Sequence, residues 1–92
     1  MIQRFRHKGL ERFFKTGYSG GIQPNQANRL RLILTALNQA TQVRDMRLPG
    51  LQLHRLKGHL QGFWSVSVSG NWRVIFRFEE GDVFDVDLID YH

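Results

Sequence analysis

Residues 64–90 read WSVSVSGNWRVIFRFEEGDVFDVDLID. Trp64, Val66 and Val68 alternate with serines, and Trp72, Val74, Phe76 and Phe78 alternate with Arg73, Ile75 and Arg77. Phe84, Val86 and Leu88 continue the pattern against Asp85, Asp87 and Ile89. A period of two over three such runs predicts an antiparallel meander with one apolar and one mostly polar face. The apolar residues of all three runs fall on even positions, so each connecting loop should hold an odd number of residues. Ser69-Gly70-Asn71 and Glu80-Gly81-Asp82 fit as three-residue loops, with Gly free to take a positive φ. That register sets Arg77 opposite Asp85 and Arg73 between Ser67 and Ile89.

Upstream the period lengthens. Leu10, Phe13 and Phe14 recur at i, i+3, i+4, which predicts a short helix over residues 7–15, ended by Gly17 in the left-handed conformation. Pro24 suits the first turn of a second helix, whose stripe runs through Ala27, Leu30, Leu34 and Leu37, widened by Ile33 and Ala40. Residues 1–5 read as a short strand. Leu51 and Leu53 point to another, which turns His54 to the polar side of the sheet. No other element can cover the apolar face. The expected fold class is therefore α+β: two N-terminal helices on one face of a small curved, mainly antiparallel sheet, in a single domain over residues 1–92.

The chain has 92 residues, 41% hydrophobic and 23% charged, as in an ordinary folded protein. Thirteen Lys and Arg against eight Asp and Glu leave a formal charge of +5, which favours an anionic partner. There is no cysteine, no apolar run that reads as a signal peptide and none long enough to span a bilayer, so a cytoplasmic protein without a membrane partner is expected.

The polar face gathers groups that can do chemistry. His54, Lys57 and His59 lie in HRLKGH, Arg73 follows Trp72, and the chain closes on DLIDYH with Asp90, Tyr91 and His92. A solvated basic loop and a frayed terminus would explain the first and last of these equally simply. Arg77 has Asp85 as its natural partner, whereas Arg73 has no acid opposite and suits a phosphate better. Cleaving RNA without a metal needs a base for the 2′-OH, cations for the phosphate and an acid for the leaving oxygen. That inventory is present, although composition and spacing fit a non-catalytic phosphate-binding surface as well. Arginines compete for Asp85 and Asp87, so no metal is expected. HExxH, Walker and GxSxG motifs are missing.

The same residues resemble a known family. RFRHKGLE, HRLKG, GFWSVSV, NWRVIF and the terminal DYH, in this order and almost end to end, are similar to the HigB toxins, or plasmid maintenance system killer proteins, of the RelE/ParE superfamily. The resemblance implies a RelE-like fold and a ribosome-dependent endonuclease that cuts mRNA in the A site of the 30S subunit, with no cofactor and no metal. It also implies a HigA-type helix-turn-helix antitoxin as partner, with operator DNA bound only through that complex. By resemblance the catalytic positions are His54, Lys57, Arg73, Asp90, Tyr91 and His92, with Lys57, Arg73, Arg77 and Tyr91 contacting RNA. Ser67 and Ser69 depart from members that carry a basic residue just before NWR, which shifts phosphate stabilisation onto Arg73 and Lys57. The superfamily leaves two other readings open: a ParE-like gyrase inhibitor that acts by binding, and a degenerate toxin that serves as co-repressor with its antitoxin.

Overall fold

The computed structural model describes residues 1–91. Helix α1 spans Lys8–Thr16 and α2 spans Ala27–Gln39; strands β1, β2, β3 and β4 span His54–Arg55, Trp64–Ser69, Trp72–Glu79 and Asp82–Asp90. The four strands form one antiparallel sheet in sequence order. Both helices begin and end as local chemistry dictates. The His7 ring accepts from Leu10 N–H at the start of α1, and Gly17, at φ 79°, returns its N–H to Phe13 at the end. A short 3₁₀ turn over Pro24–Gln26 leads into α2.

Leu10, Phe13, Leu30, Ile33, Leu34 and Leu37 from the helices are buried in one cluster with Val66, Val68, Val74, Phe76, Val86 and Leu88 from the strands. The stripe read from the sequence is thus the face that packs. Each Leu or Phe removed from water there contributes about 2 kcal/mol.

Three expectations are corrected. The first concerns the turns. Ser69 pairs with Trp72 and Glu79 with Asp82, so both hairpin loops hold two residues, Gly70-Asn71 and Glu80-Gly81. The parity rule survives by another device. Each hairpin carries one extra residue as a bulge, at Val68 in β2 and at Asp85-Val86 opposite Phe76 in β4. Two loop residues plus one bulge residue do the work assigned to three loop residues. The side-chain faces change accordingly. Val83, before the bulge, is fully buried, while Phe84 is only half-buried and lies under the Arg4 guanidinium at 5.3 Å. Ser69 turns toward the helices, where the buried Gln26 amide donates to its hydroxyl at 3.0 Å.

Second, residues 1–5 form no strand of their own. Ile2 and Phe5 make isolated parallel bridges to Val83 and Val86, with Gln3 N–H donating to Val83 and Arg6 N–H to Val86 at 2.8 Å each. The bulge interrupts what would otherwise be a continuous ladder. Third, Leu51 is buried and Leu53 half-buried, but both precede β1.

The second face of the sheet is also less open than the alternation implied. Ser65 and Ile75, paired there, are 2% and 1% exposed, and Leu56, from the segment after β1, is 3% exposed. Ile75 and Leu56 stand outside the main cluster. The 56–63 segment closes on itself through Leu56 N–H to Phe63 O at 3.0 Å, and Arg6 from the far edge lies 5.8 Å over the Phe63 ring.

Candidate functional site

The strand ladder arranges the polar face in rows. One row runs His54, Ser65, Ile75, Asp87, and the next runs Ser67, Arg73, Ile89. His54 is exposed on the β1 edge and Arg73 half-buried on β3. They lie two strands and one row apart, a Cα separation of roughly 12 Å on standard sheet spacings. That is within joint reach of an RNA backbone bend spanning two extended side chains.

Arg73 is held rather than loose. One guanidinium nitrogen donates to the Ser67 hydroxyl on the facing strand, and that hydroxyl donates to Gln52 Oε1 at 3.1 Å. Ser67 itself is fixed from three sides. Its N–H donates to Leu51 O at 2.7 Å. Its carbonyl accepts from Arg29 of α2, at 3.4 Å from Nε and 3.3 Å from an η nitrogen. Arg29 also donates to Gly50 O at 2.5 Å. Gln52 takes a positive φ of 51°, a conformation that costs a non-glycine residue about 1–2 kcal/mol and that places its amide at Ser67. Sequence reading missed Ser67, Gln52 and Arg29 as supports. Only the position of Ser67 beside Arg73 was visible, since Gln52 and Arg29 arrive from segments whose docking no periodicity encodes.

Past Ile89 the ladder continues with Asp90 opposite Trp72, a pair that alternation turns to the face away from Arg73, and Tyr91 follows it. The Tyr91 N–H donates to Asn71 O at 2.8 Å, so the residue is anchored to the β2–β3 turn while remaining 39% exposed. Fraying therefore does not describe the chain up to Tyr91. His92 lies outside the described residues.

Lys57 is exposed and leads into the 3₁₀ turn over Gly58–Leu60. With Arg55, Leu56, Gly58, Gln61 and Gly62 it lines a recess of about 480 Å³. Arg55 lies 5.1 Å over the Trp64 ring.

Arg77 is engaged differently. Although the bulge places Phe84 opposite it, its Nε donates to Asp85 Oδ2 at 3.0 Å and an η nitrogen meets Glu79 at 2.8 Å. Arg4 holds the other Asp85 oxygen at 2.6 Å. The hydrogen bonds from Arg4 and Arg77 hold the Asp85 carboxyl below the usual carboxylate range, and Asp85 in turn raises both guanidinium values. Asp85 takes the left-handed φ, 56°, that glycine supplies in many bulges. This triad belongs to the architecture. No group of three or more His, Asp or Glu able to hold a metal occurs among the described residues, and no helix is long and apolar enough to cross a membrane.

The architecture places the protein in a known structural class. The YoeB–YefM complex from Staphylococcus aureus shares the fold over 100% of this chain and 98% of that one, with a TM-score of 0.64 at 13% identity. This is the RelE-like toxin fold. Residues 3–92 match the profile described as the RelE-like toxin of type II toxin-antitoxin system HigB. The chain belongs to that HigB-like toxin family. It is 37% identical to the Endoribonuclease HigB of Proteus vulgaris over 92 residues, covering 100% of both chains. It is also 31% identical to Toxin HigB-1 of Vibrio cholerae over 83 residues, 88% of this chain and 87% of that one.

Proposed function

We propose that this chain is the toxin of a type II toxin–antitoxin pair and acts as a metal-independent endoribonuclease on mRNA in the ribosomal A site. The observation that carries the reading is Arg73: a guanidinium fixed through Ser67, without a carboxylate partner in the ladder, on the same sheet face as His54. A full-length relative called an endoribonuclease, 37% identical, supports the same reading.

In this mechanism a base removes the 2′-OH proton and the 2′ oxygen attacks the adjacent phosphorus. The 5′ oxygen leaves with a proton from an acid, and a cyclic phosphate remains. Arg73 and Lys57 meet the charge that builds on the phosphate oxygens. His54 and His92 divide the proton transfers, Tyr91 stacks on or positions a base, and Asp90 supports an imidazole. No cofactor is needed. Arg77 contributes mainly field, because its donors serve Asp85 and Glu79. The protein works in the cytoplasm, restrained by a HigA-type helix-turn-helix antitoxin, through which the pair reaches operator DNA.

Inducible expression with mapping of new mRNA 5′ ends tests this. The native chain should produce discrete cuts in translated messages within the time that growth stops, and Arg73→Ala should produce none. Growth arrest accompanied first by DNA damage, with messages intact, would replace the reading with gyrase inhibition.

A further inference from the structure

The recess after β1 is not used by the mechanism beyond Lys57 on its wall, and its chemistry suits a second task. It is lined by Arg55, Leu56, Lys57 and Gln61 with Gly58 and Gly62, and among the described residues no carboxylate lines it. Its volume, about 480 Å³, is in the range of small-ligand sites. Gly58 and Gly62 sit at φ 70° and 96°, and a Cβ on either would meet nothing within 4 Å. Its mouth is therefore unobstructed and bordered by exposed backbone at both positions. Gln61 is exposed, and its side-chain amide has no hydrogen-bond partner among the described residues. A primary amide is the side chain that offers a donor and an acceptor side by side, the pattern needed to read a base edge with two bonds.

We infer that this recess is a nucleobase subsite, in which Gln61 reads the edge of one RNA base next to the phosphate held by Arg73 and Lys57. The inference rests on the nuclease reading for its biological meaning, but the binding itself does not depend on cleavage. Lys57 supplies the continuity, as the residue the recess shares with the proposed mechanism, whereas Arg55 pairs with Trp64 and leaves β1 on the face opposite His54. Lys57 and Arg55 hold the sugar–phosphate, and the base lies against a rim exposed at every lining residue but Leu56.

Nucleoside 5′-monophosphates of the four RNA bases, with inorganic phosphate as control, are titrated into the ¹⁵N-labelled full chain. The expected result is base-dependent movement of the Lys57, Gly58, Gln61 and Gly62 amides, with affinities differing among the four bases. In Gln61→Ala those differences should shrink by about tenfold, as loss of a two-bond base contact requires. In Gln61→Glu, which offers acceptors only, the ranking should shift toward bases that present an amino group. Movement by inorganic phosphate equal to that by the nucleotides reduces the recess to an anion site and overturns the inference. So does an unchanged base ranking in both variants. Cleavage-site mapping separates the two levels. A native chain that binds bases in the recess but cuts no message sinks the nuclease reading alone. A chain that cuts with the same site preference after both substitutions sinks the subsite alone.

Discussion

Asp85 stands one residue out of step with Arg77 in the β3–β4 ladder, yet the two side chains meet at 3.0 Å. The bulge that offsets them also swings the carboxylate toward Arg4, which it holds at 2.6 Å. One acid thus fastens the N-terminal segment, β3 and β4 together. Asp85→Asn keeps a residue that tolerates the left-handed φ and removes only the charge. It should cost about 1 kcal/mol, the upper range for ion pairs of this exposure. Asp85→Ala adds the conformational penalty of roughly 1 kcal/mol more. Urea midpoints at unchanged slope measure both, and equal losses in the two variants would show that backbone geometry contributes nothing.

The same carboxyl sets an acid dependence. Its value lies below the ordinary one in the folded chain, so the unfolded chain binds the proton first and stability rises with pH across that window. The contribution is fully present above the ordinary carboxylate value of about 3.9 and is lost as pH falls through the folded value. Asp45, lowered mainly by the Thr41 N–H, acts in the same direction. Below pH about 4 the native chain should therefore lose stability more steeply than Asp85→Asn, without the variant becoming flat. Identical slopes in parallel acid titrations would remove Asp85 from the account.

Arg73 and its hydroxyl partner separate chemistry from support. Arg73→Ala should lower the rate of message cleavage by about a hundredfold or more, as expected for removing a preorganised cation from a phosphate. Ser67→Ala leaves the guanidinium in place but frees it, and should cost about tenfold. Gln52→Ala should resemble Ser67→Ala while relieving the strain at its positive φ. Thermal unfolding distinguishes these effects from misfolding, and a fully active Ser67→Ala would show that the hydroxyl does not position Arg73.

Removing Tyr91 and His92 leaves the Asp90–Trp72 pairing intact and deletes one described backbone bond, Tyr91 N–H to Asn71 O. The structural loss should be about 1 kcal/mol, a melting shift of about 4–8 °C for a chain of this size. Growth arrest should disappear. Arrest that persists at full strength would exclude the terminus from the mechanism.

Gln26 is 1% exposed and spends its amide on the Ser69 hydroxyl. Gln26→Leu should cost about 1 kcal/mol, the net worth of one hydrogen bond, because the exposed Ser69 hydroxyl can turn to water. Adding Ser69→Ala should then cost little more, so that a double-mutant cycle in urea reads the coupling between the two side chains directly.

The two helices and the three long strands were legible because their apolar periods are long and uninterrupted. The face that Arg73 shares with His54 followed from alternation alone. The bulges were not legible. Val83 breaks the even-position rule in the sequence, and only the register explains why it is buried while Phe84 is not. The extra residue at Asp85 has no local signature, since an aspartate there looks like any solvent-facing strand residue until its φ is known. Likewise the Ser67–Gln52–Arg29 support depends on long-range docking. The family resemblance proved right, because its motifs span the chain.

Gln3 and Arg6, ahead of α1, find their hydrogen-bond partners on β4, at Val83 and Val86. Contacts so distant along the chain form late. A nascent copy leaving the exit tunnel therefore has an open sheet edge and no Tyr91 until β4 has been made. Any activity that rests on Tyr91 is therefore withheld until β4 has left the tunnel and closed that edge.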